Sequence, residues 1–130
     1  MNVRYPTEFM TDWKKKLHSD NKDGIEKLLG MLGLAMRAGR VIIGTEQICS
    51  SLSKSGGTKP ALVLIAEGAS ANARKKLENK CAFYGVQIID LPIEMQRLGK
   101  LLGKTYAPVA AAVTDEGFAH RLKRLAEMRI

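Results

Sequence analysis

The run ALVLIA, from Ala61 to Ala66, constrains the fold of this chain more than any other stretch. Six apolar residues are short for a helix, and no polar residue alternates with them, so the run predicts an interior strand covered on both faces. Such a strand needs a sheet around it and helices above and below. SKSGGTKP precedes it as a loop. Three further segments fit strands: β-branched Val41-Ile42-Ile43, Val86 to Ile89, and the small-residue run Val109 to Val113.

Helical patterns separate these strands. Asp23 with Glu26 forms an acidic capping box ahead of Ile25, Leu28, Leu29, Leu32 and Met36, which share helical spacing up to a stop near Gly39. Gly30 and Gly33 weaken that helix by about 1 kcal/mol each relative to alanine, which implies close packing of another element there. Thr45 opens a second helix. Ser70 caps a third, with Ala73, Leu77, Cys81 and Tyr84 on one face and Gly85 as its stop. Leu91-Pro92 is read as the start of a fourth, running to about Gly103. Thr114 is read as the cap of the last, which carries Phe118, Leu122 and Leu125 inward and Arg121, Lys123 and Arg124 outward. The alternation predicts an α/β fold, a three-layer α/β/α sandwich with about four strands in one mixed sheet.

A chain of 130 residues, 45% hydrophobic, supports one core rather than two. Residues 1–23 are expected to be a tail or short helix plus a linker. Pro6-Thr7 could start that helix, with Met10, Trp13 and Leu17 on one face, and His18 to Gly24, HSDNKDG, reads as the linker. Residues 24–130 are expected to form the domain. The first 24 residues hold five basic and four acidic side chains, so seven of the eight net positive charges fall on the rest. That excess favours a polyanionic partner, and nucleic acid over membrane, since no long apolar span or basic amphipathic anchor occurs. Lys75, Lys76 and Lys80 read as a solvated helix face.

Cys49 and Cys81 have no metal-ligand spacing and fall at apolar helical positions, so buried reduced thiols are expected. His18 and His120 lack companions for a zinc site. The N-terminus lacks the apolar core of a signal peptide, and with the cysteine usage this points to the cytoplasm. Neither GxGxxG nor GxxxxGK[ST] follows any strand, and no Ser/His/acid or Cys/His arrangement is legible. A non-enzymatic protein without cofactor or metal is expected.

The strand-to-helix junction at Gly44-Thr45 is the strongest candidate site. It points backbone N–H groups and a positive helix end outward and presents Glu46, Gln47 and Ser50 in the first turns. The plain alternative is an ordinary helix start, with Thr45 capping and Glu46 complementing the dipole. Sites in such folds gather in loops leaving the strand ends, here Gly44 to Gln47, Glu67-Gly68-Ala69-Ser70 and Leu98 to Lys104. Arg37, Arg40, Lys75, Lys100 and Lys104 are expected to form a basic face around Gln47.

The ordered motifs LLGLAxRAGRxxxG, GTEQ, LVLIAEGAS, LGKLLGK and VAAAVTDEGFAHRL resemble the YlxQ-type branch of the ribosomal-protein family called "L seven Ae". The resemblance covers about Ile25 to Leu125. It implies the three-layer sandwich and binding of kink-turn RNA, with a helix N-terminus entering the widened groove beside sheared G·A pairs. It also implies that the second-strand loop, Glu67 to Ala71, and the segment Leu98-Gly99-Lys100 to Gly103-Lys104 flank the RNA. Gly44 and Thr45 match the family motif. Kink-turn binders of the family usually continue with Asn or Lys, then Glu or Gln, and Lys three positions later, where this chain has Glu46, Gln47 and Ser50. A relaxed kink-turn preference is therefore expected, with electrostatics carrying much of the binding. The implied partners are structured, ribosomal-type RNA and ribosome-associated proteins. The alternative is a protein-interaction scaffold that uses the Met10, Trp13 and Leu17 face.

Overall fold

The structure, a computed structural model, describes residues 12–54 and 57–127, with side chains from residue 24 onward. Its elements are α1 (Asp12–Arg37), β1 (Val41–Ile43), α2 (Thr45–Ser53), β2 (Leu62–Glu67), α3 (Ala71–Tyr84), β3 (Gln87–Glu94), α4 (Met95–Leu101), β4 (Ala110–Val113) and α5 (Glu116–Glu127). The four strands form one mixed sheet in the order β1-β4-β2-β3. β4 runs antiparallel to both neighbours, whereas β2 and β3 are parallel. β1, β2 and β3 therefore all end at one rim of the sheet, where β4 begins.

β2 is the covered strand its sequence predicts, with Leu62 to Ala66 all buried. Successive side chains of a strand point to opposite faces, so β2 feeds two cores. Leu62, Leu64 and Ala66 pack with Leu28 and Leu32 of α1, Leu98 of α4 and Leu122 of α5. Val63 and Ile65 pack with Ile48 and Leu52 of α2 and Leu77 and Cys81 of α3. The result is three layers, with α2 and α3 on one face and α1, α4 and α5 on the other. Burying each large side chain of this kind contributes about 1.5–3 kcal/mol. Both free cysteines are buried, and burial pushes the Cys81 thiol up to about 11, so it stays protonated near neutrality.

Several elements depart from expectation for physical reasons. β1 is only half-buried, although its β-branched run Val41-Ile42-Ile43 suits a buried strand, because it is the outermost strand and pairs with β4 alone. α1 runs unbroken through His18 to Gly24, the stretch expected to be a linker. Ser, Asp and Asn inside a helix cost up to about 0.7 kcal/mol each, and propagation from the packed half at Leu28 to Ala35 outweighs that. No helix start exists at Asp23 for a capping box to serve. The Met10, Trp13 and Leu17 face lies outside the residues whose side chains are described. Gly33 packs as expected, since a Cβ there would lie 3.8 Å from Leu101 Cδ1, but Gly30 faces open space.

β3 continues to Glu94 through Leu91-Pro92, where a helix start was expected, and α4 is short. Ile89, Leu91 and Ile93 are buried while Asp90 and Glu94 are exposed, so a two-residue alternation carries through the proline. Proline is tolerated because β3 is an outer strand, and the register slips between Ile65↔Asp90 and Glu67↔Glu94, leaving Pro92 in the irregular stretch. The last helix is capped by Asp115 rather than Thr114, since Asp115 Oδ2 accepts from the Phe118 N–H at 2.9 Å. Thr114 Oγ1 instead donates to the Arg40 carbonyl at 3.3 Å.

Candidate nucleic-acid interface

Three segments meet at the rim where β1, β2 and β3 end. The Gly44 N–H donates to the Ala110 carbonyl at 3.0 Å, and the Ala66 N–H donates to the Val109 carbonyl at 2.9 Å. These bonds tie the start of α2 and the end of β2 to the start of β4. From Glu67 the chain turns through Gly68 and Ala69 to Ser70, whose Oγ accepts from the Ala73 N–H at 3.2 Å and caps α3. A Cβ at Gly68 would lie 3.7 Å from Met95 Cε, so the start of α4 borders this loop. α4 closes with the Gly103 N–H donating to the Lys100 carbonyl and the Lys104 N–H to the Gly99 carbonyl. The chain then folds back over Gly99, which leaves no room for a side chain: a Cβ there would overlap the Tyr106 carbonyl oxygen and lie 3.1 Å from Pro108 Cδ.

Gly44, not Thr45, is the N-cap of α2, with φ +102° and no side-chain cap. That backbone angle strains any L side chain, and a Cβ would come within 2.5 Å of Gln47 Oε1. Glycine thus lets the chain turn sharply and lets the Gln47 carboxamide fold back over the helix start. The first intrahelical bond runs from the Ile48 N–H to the Gly44 carbonyl at 3.0 Å. The N–H groups of Thr45, Glu46 and Gln47 precede it and face outward with the positive end of the helix. Glu46, Gln47 and Ser50 are all exposed.

Glu46 is not a free carboxylate. Its Oε1 lies 2.5 Å from Lys76 Nζ of α3, and that hydrogen bond raises the Lys76 pKa above its ordinary value. Lys80 Nζ donates to Ser53 Oγ at 2.9 Å at the other end of α2. Two lysines expected to form a solvated face instead strap α3 to α2. Arg74 pairs with Asp90 and Glu78, which commits its charge locally.

The remaining predicted residues divide. Glu67, Gly68 and Ser70 are exposed at the rim, Ala69 is half-buried there, and Lys104 is half-buried on the arriving segment. Lys75 is exposed, about 200° around α3 from buried Leu77 and so on its outer side. Leu98 and Gly99 are buried and position the segment. Lys100 lies beside a groove of about 400 Å³ between α1 and α4, where Arg97 donates to Glu26 Oε1 at 2.7 Å. Arg37 and Arg40 are not at this rim, so the expected single basic face does not form. The turn at Gly39 closes α1, with the Arg40 N–H donating to the Ala35 carbonyl, and β1 then runs away from it. At about 3.4 Å per residue, Gly44 lies roughly 14 Å beyond Arg40.

Sequence reasoning overlooks three residues here. Lys76 is separated from Glu46 by 30 positions, and no linear pattern links them. Tyr106 is 56% exposed two residues after Lys104, a ring of the kind on which an unpaired base stacks. Glu94 stands opposite Glu67 in the β2–β3 register, so the rim carries acidic as well as basic groups.

A model of the ribosomal protein L7Ae/L30e/S12e/Gadd45 family matches residues 26–123. The chain belongs to this family. Two curated members named RNA-binding protein YlxQ are similar to it. The one from Enterococcus faecium is 32% identical over 107 residues, which are 82% of this chain and 98% of that protein. The one from Bacillus subtilis (strain 168) is 38% identical over 92 residues, 71% of this chain and 87% of that protein. Among solved structures, a protein of unknown function from Bacillus halodurans C matches with a TM-score of 0.69 and 31% identity, over 78% of this chain and 97% of that one. The family resemblance read from the ordered motifs and the mixed-sheet α/β fold are both borne out. Among the described residues, no helix is long and apolar enough to cross a membrane.

Proposed function

We propose that the chain binds structured RNA of the kink-turn type, ribosomal or ribosome-associated, at the rim formed by the start of α2, the Glu67–Ser70 loop and the segment from Gly103 to Tyr106. The observation that carries this reading is the Gly44 turn, which presents an uncapped helix N-terminus with exposed Gln47 beside two backbone loops in a member of this family. Relatives similar over most of the chain are named RNA-binding proteins, which supports it. Gln47 offers both a donor and an acceptor to guanine edges in sheared G·A pairs, and the Gly68 loop can approach RNA through backbone. Lys75, Lys100 and Lys104 supply phosphate contacts. The motif is altered at two places. Ionised Glu46 accepts hydrogen bonds only, and Ser50 brings no cation, so affinity for kinked RNA is lower by about 1–3 kcal/mol than an intact motif supplies.

The test is the double substitution Glu46→Asn with Ser50→Lys, measured on kinked RNA and on an unkinked duplex at one salt concentration. The expected outcome is a gain selective for the kinked RNA. An equal gain on both reports added charge alone, and no gain places RNA elsewhere on the protein.

A further inference from the structure

Glu46 poses a physical problem for any reading that brings RNA to this rim. A carboxylate in the first turn of α2 favours the helix dipole but repels a phosphate backbone. Glu46 and Ser50 are four residues apart on α2 and so share a face, and no basic residue of α2 lies in that stripe. The cation comes from the neighbouring helix. Lys76 Nζ sits 2.5 Å from Glu46 Oε1, with the two side chains 46% and 74% exposed. Ile48, Cys49 and Leu52 of α2 share one buried cluster with Leu77 and Cys81 of α3, so the helix pair is a fixed platform.

We infer that Lys76 masks Glu46 and thereby makes the acidic start of α2 compatible with an RNA backbone, a specificity-determining pair in which α3 supplies the charge that α2 lacks. The inference rests on the RNA-binding reading above. Its distinguishing content is coupling: the value of Lys76 to RNA binding depends on Glu46 being present. Removal of Lys76 uncovers a carboxylate next to phosphates, whereas removal of both leaves a neutral surface. The raised pKa of Lys76 agrees, since the ammonium keeps its charge throughout the neutral range.

A double-mutant cycle on the intact protein tests this, with Lys76→Gln, Glu46→Gln and the pair compared on a synthetic kink-turn RNA and an unkinked duplex. At about 0.1 M salt, Lys76→Gln is expected to weaken binding to the kinked RNA about tenfold. In the Glu46→Gln background the same change is expected to cost no more than about threefold. Exposed ion pairs add little to folding, so thermal midpoints stay together and exclude unfolding as the cause. Parent-like binding by Lys76→Gln, or an equal loss in both backgrounds, overturns the inference and leaves the RNA reading standing. A parent protein that binds neither RNA overturns the reading itself, and the inference with it, before any variant is compared.

Discussion

Gly99→Val is expected to lower the thermal midpoint by about 10 °C and to weaken RNA binding together with it. A Cβ at this position meets a backbone carbonyl, that of Tyr106, and the ring of Pro108, rather than the free end of a flexible side chain. The segment from Thr105 to Pro108 must move, because Leu98 beside it is fully buried in the core and holds α4 in place. Overpacking of this kind costs about 3 kcal/mol at the upper end of its usual range. For a domain of this size each kcal/mol corresponds to roughly 3–4 °C. The same displacement moves Lys104 and Tyr106 on the returning segment, so stability and binding fall together. Chemical denaturation and calorimetry check the first effect and an RNA titration the second. An unchanged midpoint would mean that the returning segment yields without cost.

The largest effect on binding is expected from Lys75→Gln, Lys100→Gln and Lys104→Gln combined. Each phosphate contact contributes a slope of roughly 0.7 to 0.9 in log affinity against log salt. Loss of three contacts therefore weakens binding about 100-fold near 0.1 M salt and flattens the salt slope by roughly two to three units. Arg37→Gln with Arg40→Gln is the internal control. Arg40 lies at the opposite end of β1, roughly 14 Å along the strand from Gly44, and Arg37 ends α1 before it, so their removal is expected to act only as distant charge. Equal losses from the two sets would indicate non-specific attraction to the whole basic domain.

These placements mark what periodicity reveals and what it does not. ALVLIA predicts a doubly covered central strand because its pattern depends only on burial, and β2 is that strand. Ser70 and Gly85 mark the ends of α3 because capping is local chemistry. Ile89, Leu91 and Ile93 alternate through Pro92 in the folded strand, but Leu91-Pro92 reads as a helix start, because proline fits a strand only where that strand is outermost. Arg37 and Arg40 are close to Gly44 in sequence but far in space, since an extended strand separates them. The Glu46–Lys76 pair is the reverse case, distant in sequence and joined by the packing of α2 on α3. Strand order, which brings Ala110 beside Gly44, is likewise invisible to local pattern.

The claim that RNA docks on the rim where β1, β2 and β3 end is tested most directly by amide chemical-shift mapping of the intact protein during titration with a kink-turn RNA. The largest shifts are expected on Gly44 to Gln47, Glu67 to Ser70 and Gly103 to Tyr106, with Arg37 and Arg40 little moved. Shifts concentrated instead at the far end of α3, around exposed Phe83 and Tyr84, would contradict it.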